Sequence, residues 1–112
     1  MKYKILVLLL FISMVSRAQD TLRLSLLFTG DIMQHETQIN SAYDPAAGRY
    51  NYLSVFQYIK PVLSSADLTI GNLEFTLGGK PYKGYPQFSA PDEILEAIRD
   101  AGFDVLVTAN NH

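Results

Sequence analysis

Three short polar motifs, each following an apolar stretch of strand character, constrain the fold of this chain more than any other feature. The motifs are Gly30-Asp31, Gly71-Asn72-Leu73-Glu74 and Asn110-Asn111-His112. In an open α/β sheet, ligands bind outside the carboxyl ends of the strands. We therefore expect the three motifs to converge at one edge of a sheet, where oxygen and imidazole groups together suit a divalent metal ion.

Two segments between the predicted strands have helical character. Residues 52–63 carry apolar side chains at helical spacing, although Pro61 is expected to kink or end that helix. Residues 91–101 form a clearer helix, because Pro91 suits the first helical position and acidic residues complement the amino-terminal end of the helix dipole. Gly102 is well placed to end this helix.

The order of these segments predicts the fold class. Strands are expected at residues 21–28, 66–70 and 103–108, with a turn at 44–48 and a loop at 78–88. The apolar end of the first strand is typical of a strand that is covered on both faces. Each connection between strands is long enough for a helix, so the order β-α-β-α-β predicts parallel strands in an α/β layered fold.

The amino-terminal segment predicts export. Lys2 and Lys4 precede an apolar run over residues 5–15, and Ser16-Arg17-Ala18 supplies small residues at both positions that a signal peptidase reads. We expect residues 1–18 to be a signal peptide that is cleaved after Ala18, and the mature protein to be periplasmic or associated with the cell envelope. The run is too short to suit a permanent span. An uncleaved anchor is the alternative, and only this segment would then contact the membrane.

Composition excludes several classes of partner and site. The chain has nine basic and eleven acidic residues; removal of residues 1–18 takes away three basic residues, which leaves six against eleven and a formal charge of −5. Nucleic acids and anionic membrane surfaces require a basic patch, so neither is an expected partner. The chain contains no cysteine, which excludes disulfides, thiol nucleophiles and thiolate metal sites. Any metal ion must therefore be held by Asp, Glu, Asn or His.

The first motif offers a carboxylate. Asp31 can ligate a cation, and Gly30 would let the backbone approach the site closely. The alternative is a turn aspartate that accepts hydrogen bonds from local amides. His35, four residues further on, is an additional candidate ligand, although a single histidine is more often an ordinary surface residue.

The second motif places a carboxylate in an apolar environment. Glu74 lies within the mostly apolar segment 73–77, and a buried carboxylate without a partner is costly. We therefore expect Glu74 to meet a cation or strong hydrogen-bond donors. Asn72 offers a neutral oxygen ligand or a hydrogen bond to a neighbouring loop. The alternative is that both residues simply cap a loop.

The third motif combines amides with an imidazole. Asn111 is the candidate metal ligand and His112 the candidate general acid beside it, with Asn110 as an additional candidate. The alternative is that the asparagines hold a left-handed turn.

Three stretches of the sequence together resemble a known family. They are FTGDIM at 28–33, ADLTIGNLE at 66–74 and GYPQFSAPDEILEAIRDAGFDVLVTANNH at 84–112. The combination is similar to the CapA-type poly-gamma-glutamate capsule-biosynthesis proteins, which belong to the wider metallophosphoesterase, calcineurin-like fold. The resemblance implies a layered metallophosphatase-like sandwich of which only the amino-terminal β-α-β-α-β part is present. Residues 19–112 would then be the amino-terminal portion of a domain that is truncated at its carboxyl end.

The same resemblance implies a function in the metabolism of capsule or cell-envelope polymers. The expected partners are an anionic polymer such as poly-gamma-glutamate and other capsule or envelope biosynthesis proteins. The expected reaction is metal-assisted hydrolysis or transfer with a divalent ion such as Mn, Zn or Mg. Asp31 and Glu74 would hold the ion, Asn111 would ligate or orient, and His112 would act as an acid or electrophile.

Two departures from the family pattern leave an alternative open. Metallophosphoesterases usually begin with Asp-x-His, and here Met33 occupies the histidine position. Asn72 stands where a bridging aspartate is usual. Both changes favour a non-catalytic export or binding module on the same fold. A Rossmann-like nucleotide binder is disfavoured, because no glycine-rich turn follows the first strand.

Overall fold

The structure, a computed structural model, describes residues 3–5, 7 and 20–112, which contain both strands and helices. Nearly all of the predicted signal peptide, residues 1–18, and its cleavage site lie outside these residues. Within the described ranges no helix is long and apolar enough to cross a membrane. The elements are β1 (Leu26–Ile32), α1 (Glu36–Ala42), β2 (Tyr43–Asp44), β3 (Arg49–Tyr50), a 3-10 turn (Leu53–Val55), α2 (Lys60–Leu63), β4 (Leu68–Leu73), α3 (Glu93–Ala101) and β5 (Val105–Val107).

A three-stranded parallel sheet with the strand order β1-β4-β5 forms the centre of the structure. Leu26 lies opposite Leu68 at one end, and Ile70 lies opposite Val105. Helical segments connect the strands. The prediction of an α/β fold with parallel strands is therefore confirmed.

The first two predicted strands end later than the apolar pattern predicts, whereas the third ends one residue earlier, at Val107. β1 begins at Leu26, not at residue 21, and runs through the first polar motif to Ile32. β4 likewise includes Asn72, and the backbone NH of Glu74 still donates to the carbonyl of Ile32 at 3.0 Å. Backbone pairing continues here because a polar side chain does not interrupt the ladder. The first two motifs therefore lie on the strand ends and not in the loops that follow.

The last helix agrees with its sequence signals. α3 begins at Glu93, and Gly102 ends it in a left-handed conformation with φ of 104°. An added Cβ at Gly102 would lie 2.5 Å from the Ser64 hydroxyl, so space as well as conformation requires glycine there. The buried side chains of α3 are those of Ile94, Ala97, Ile98 and Ala101.

The prediction of one helix over residues 52–63 is wrong. The segment forms the 3-10 turn and then the four-residue α2. Pro61 lies in the first turn of α2, where its missing NH would have had no intrahelical partner, so it helps to begin a helix instead of ending one. The turn at 44–48 is confirmed, because Asp44 accepts the backbone NH of Ala46 at 2.9 Å and β2 pairs with β3 around it.

The hydrophobic core lies on one face of the parallel sheet. α3 contributes Ile94 and Ile98 to a cluster that also contains Ile32 and Leu73 from the strands. The opposite face exposes apolar side chains, including Phe28 at 69%. No described element packs over this side of β1, so the expectation that the strand is covered on both faces stays a prediction for the whole protein.

Candidate functional site

A chain of hydrogen bonds joins the three polar motifs at the carboxyl ends of the parallel strands. The side-chain NH2 of Asn72 donates to Asp31 at 2.7 Å, and the side-chain NH2 of Asn110 donates to the Asn72 oxygen at 2.9 Å. The backbone NH of His112 in turn donates to the Asn110 oxygen at 2.9 Å. The structure thus brings one residue or more from each predicted motif to the same edge of the sheet.

A β-bulge sets the position of Asp31. The register between β1 and β4 shifts between Phe28 and Asp31, which places Asp31 opposite Asn72. Bulges redirect side chains at the ends of strands. An added Cβ at Gly30 would meet no protein atom within 4 Å, so no packing within the described residues requires glycine there, and the close backbone approach to a bound ion stays a prediction.

Asn110, and not its neighbour, makes the connections of the third motif. Its NH2 group also donates to the carbonyl of Leu73 at 2.9 Å, so the amide binds both a side chain and the backbone of the second motif. Asn111 is exposed. The sequence could not separate two adjacent asparagines, because their roles depend on which side chain faces the sheet.

Glu74 is nearly buried, with 9% of its surface exposed, as its apolar surroundings predict. Its Oε2 is buried without a hydrogen-bond partner, and its Oε1 lies 4.0 Å from Nε2 of His112. Burial raises the pKa of Glu74, the neighbouring carboxyl group of Asp31 raises it further, and His112 lowers it. The site therefore brings two carboxyl groups together with an unused buried oxygen.

His35 lies at the start of α1. Its backbone NH donates to the side chain of Gln38 at 2.6 Å, and its ring packs edge-on against Phe88 with centroids 5.6 Å apart. The side chain is not among those joined by the hydrogen bonds between the motifs. Its position as a helix start gives His35 a local structural role.

The donor groups fit a divalent cation only in part. Within residues 20–112 no group of three or more His, Asp or Glu side chains is arranged to hold a metal ion. Asp31 and Glu74 supply two carboxylates, and the unpartnered Oε2 of Glu74 is an oxygen of the kind that hard cations bind. Amide oxygens or water would have to complete the coordination.

A cavity of about 500 Å³ lies beside Asp31, between the end of β1, α1 and the segment around the 3-10 turn. Buried Gln34 lines it and accepts a hydrogen bond from the hydroxyl of Tyr52 at 2.8 Å. Burial raises the pKa of Tyr52, which keeps the phenol a neutral donor. Nothing in the sequence predicts this pair, because Gln34 belongs to no motif and lies 18 residues from Tyr52 along the chain.

Comparison with known proteins identifies similar sequences. The family model described as bacterial capsule synthesis protein PGA_cap matches residues 25–112. The capsule biosynthesis protein CapA of Bacillus anthracis is 33% identical over 98 residues, an alignment that covers 80% of this chain and 22% of the relative. The chain thus spans about a fifth of the length of that relative.

Proposed function

Since this chain belongs to the bacterial capsule synthesis family PGA_cap, we propose that the whole protein acts in capsule biosynthesis on an anionic polymer such as poly-gamma-glutamate. The family assignment supports the role in the capsule, and other envelope biosynthesis proteins are the proposed partners. The basic start and apolar run of residues 1–18 support export to the periplasm or cell envelope. Both proposals concern the whole protein, since this chain spans about a fifth of the length of its relative.

The proposed reaction is metal-assisted hydrolysis or transfer at an acyl or phosphoryl centre. The observation that carries it is the buried Oε2 of Glu74, which has no hydrogen-bond partner and belongs to a carboxyl group whose pKa the neighbouring Asp31 raises. These two carboxylates would hold a divalent ion such as Mn, Zn or Mg, with Asn111 as an oxygen ligand. When bound, the ion supplies Lewis-acid polarisation of the reacting oxygen.

His112 is the proposed general acid. Its Nε2 lies 4.0 Å from Glu74, and its backbone is tied to Asn110, so the imidazole stands beside the carboxylates that would hold the ion. From there it can donate a proton to a leaving group. Asn72 would orient Asp31 through its 2.7 Å hydrogen bond.

A non-catalytic export or binding module is the second candidate. Asn72 commits its side chain to Asp31 and Asn110, which leaves it less free to ligate. Met33, at the position of the usual histidine, supplies no nitrogen or oxygen ligand. A site with few strong ligands suits polymer binding without chemistry.

Calorimetric titration of the whole protein with MnCl2 tests the metal site. Glu74→Gln should weaken Mn²⁺ binding by ~10-fold or more, in line with the loss of a supporting group at a metal site. Glu96→Gln is the matched control. It makes the same chemical change at an exposed glutamate that is paired with Arg49. Equal affinity in all three proteins would refute the metal proposal.

Incubation with poly-gamma-glutamate, followed by size-exclusion chromatography, separates the two candidates. An enzyme shortens the polymer, and His112→Gln abolishes the shortening without preventing Mn²⁺ binding. A binding module retains the polymer at unchanged length. If the polymer is neither shortened nor retained by the protein, the proposed substrate is wrong.

A further inference from the structure

Phe88 lies between the two histidines of the chain. Its side chain is buried, with 3% exposed, and its ring centroid is 4.7 Å from that of His112 at an interplanar angle of 77°. The ring of His35 lies 5.6 Å away at 72°, and that of Tyr85 lies 5.8 Å away at 70°. All three contacts have the edge-to-face geometry that aromatic rings prefer.

The backbone of Phe88 is in an unusual conformation. Its φ is 46°, the only positive value for a non-glycine residue among residues 3–5, 7 and 20–112. A bulky side chain is unfavourable in this left-handed region and persists there only where its surroundings hold it. Here the Phe88 NH donates to Gly84 at 2.9 Å, and its carbonyl accepts from the NH of Thr76 at 2.8 Å and from the Thr76 hydroxyl at 3.3 Å.

The loop that carries Phe88 is anchored to the start of α1. We name residues 76–90 the aromatic loop. Its ends are joined by the hydrogen bond from the NH of Ala90 to the carbonyl of Thr76 at 2.9 Å. Gly84 is buried against α1, where an added Cβ would lie 2.6 Å from the backbone nitrogen of Glu36. The position of Phe88 is therefore set by the hydrogen bond between the ends of the loop and by the packing of Gly84 against α1.

The orientation of the His112 imidazole depends on contacts made by its ring. The hydrogen bond to Asn110 fixes the backbone of His112 but leaves its side-chain torsions free. Phe88 meets the ring at one side, and Glu74 lies 4.0 Å from its Nε2. The side chain of His112 is 19% exposed, so the imidazole is largely enclosed.

We propose that Phe88 is a positioning residue that holds the imidazole of His112 beside Glu74, an inference that rests on the proposed role of His112 as proton donor. This role gives a reason for the left-handed backbone of Phe88, whose buried ring contacts both histidines. A residue needed solely for packing could be replaced by another large apolar side chain without effect on His112.

Nuclear magnetic resonance of the whole protein with labelled histidine tests the contact directly. His112 resonances are assigned from their loss in His112→Gln. The wild-type protein should show nuclear Overhauser effects between the Phe88 ring and the imidazole protons of both His35 and His112. This measurement does not depend on the folding of any Phe88 variant.

Replacement of the ring tests its function. In Phe88→Leu, modification of His112 by diethyl pyrocarbonate should be several-fold faster, and kcat on poly-gamma-glutamate should fall several-fold with KM unchanged. Phe75→Leu is the matched control, because Phe75 is a buried aromatic of the same core, with 4% exposed. Its His112 modification rate should stay within twofold of wild type.

Two results would overturn the inference: absence of the Phe88–His112 effect in the wild-type protein, or an unchanged His112 modification rate in Phe88→Leu. If Phe88→Leu does not fold, the wild-type measurement decides. The inference and the proposed function fail separately. His112 modification is measured without metal or polymer, whereas the proposed function is judged by Mn²⁺ binding and polymer shortening in the wild-type protein.

Discussion

The side-chain amide of Asn72 donates a 2.7 Å hydrogen bond to Asp31 on the neighbouring strand. The oxygen of the same amide accepts from Asn110 at 2.9 Å. An amide can donate and accept at once, which a carboxylate cannot do. An aspartate at this position would also place a second negative charge against Asp31. The Asn72 amide therefore connects the three strand ends directly. A carboxylate at this position could connect them only through a bound cation.

Removal of this amide should destabilise the protein. Asn72→Ala removes the donor to Asp31 and one of the two acceptors of the Asn110 amide, and we expect a loss of about 1–3 kcal/mol in the free energy of unfolding. Urea denaturation measures it. Asn40→Ala, an exposed position on α1, is the control and should stay within about 0.5 kcal/mol of wild type. Equal values for the two variants would show that the hydrogen bonds contribute nothing net.

Stability should fall as pH rises through the titration of Glu74 when no divalent cation is present. The pKa of Glu74 is raised above its ordinary value of 4.5, chiefly by burial, so the folded state binds this proton more tightly than the unfolded state. The stabilisation that this bound proton provides is full below pH 4.5 and is lost as pH rises past the raised pKa of Glu74. Glu74→Gln should flatten this dependence in urea titrations from pH 4 upward. If the free energy of unfolding depends on pH with the same slope in Glu74→Gln, groups other than Glu74 cause the dependence.

Asp67 should give a dependence of the opposite sign. Hydrogen bonds from the hydroxyl and the backbone NH of Ser25 lower the pKa of Asp67 below its ordinary value of 3.8. Its contribution to stability is therefore present above pH 3.8 and is lost as pH falls through the lowered pKa. Ser25→Ala should reduce stability at pH 7 more than in strong acid. An equal loss at both pH values would contradict this assignment.

Sequence patterns predicted the elements whose signals are local. α3 was predictable because acidic residues, an apolar stripe and Gly102 all indicate the same helix. α1 was not, because only Ile39 and Ala42 of its seven residues are buried, and the two-residue strands β2 and β3 are too short to show alternation. Such elements form through contacts that no sequence window contains.

The candidate site was predictable to the level of motifs but not of side chains. Convergence of the motifs follows from the parallel sheet, since the carboxyl ends of its strands meet at one edge. The roles of Asn110 and Asn111 depend on the geometry after β5, which the sequence leaves open. Phe88 lies in a loop without periodicity, and its left-handed backbone arises from hydrogen bonds to Thr76 and Gly84. Its contact with the histidines could not have been foreseen.

Two glycines should respond differently to alanine. An added Cβ at Gly71 would lie 2.7 Å from the ring of Phe103 and 2.9 Å from Ile32, so Gly71→Ala should cost about 1–3 kcal/mol through overpacking. Gly30→Ala meets open space and should be neutral or stabilising by up to about 1 kcal/mol. Thermal and urea unfolding compare the two. A large loss in Gly30→Ala would show that the bulge requires glycine for another reason.

Alanine variants of the two adjacent asparagines should separate a structural role from a ligand role. Asn110→Ala removes two donated hydrogen bonds and the acceptor for the His112 backbone, so stability should fall by about 1–3 kcal/mol. Asn111 is exposed, and Asn111→Ala should change stability by less than about 0.5 kcal/mol. If Asn111 ligates the ion as proposed, the Mn²⁺ affinity of Asn111→Ala should nevertheless fall. The unfolding measurements are made without metal, so that the two effects stay separate. Unchanged stability in Asn110→Ala would contradict the hydrogen-bonded connection between the strand ends, and unchanged Mn²⁺ affinity in Asn111→Ala would remove Asn111 from the proposed ligands.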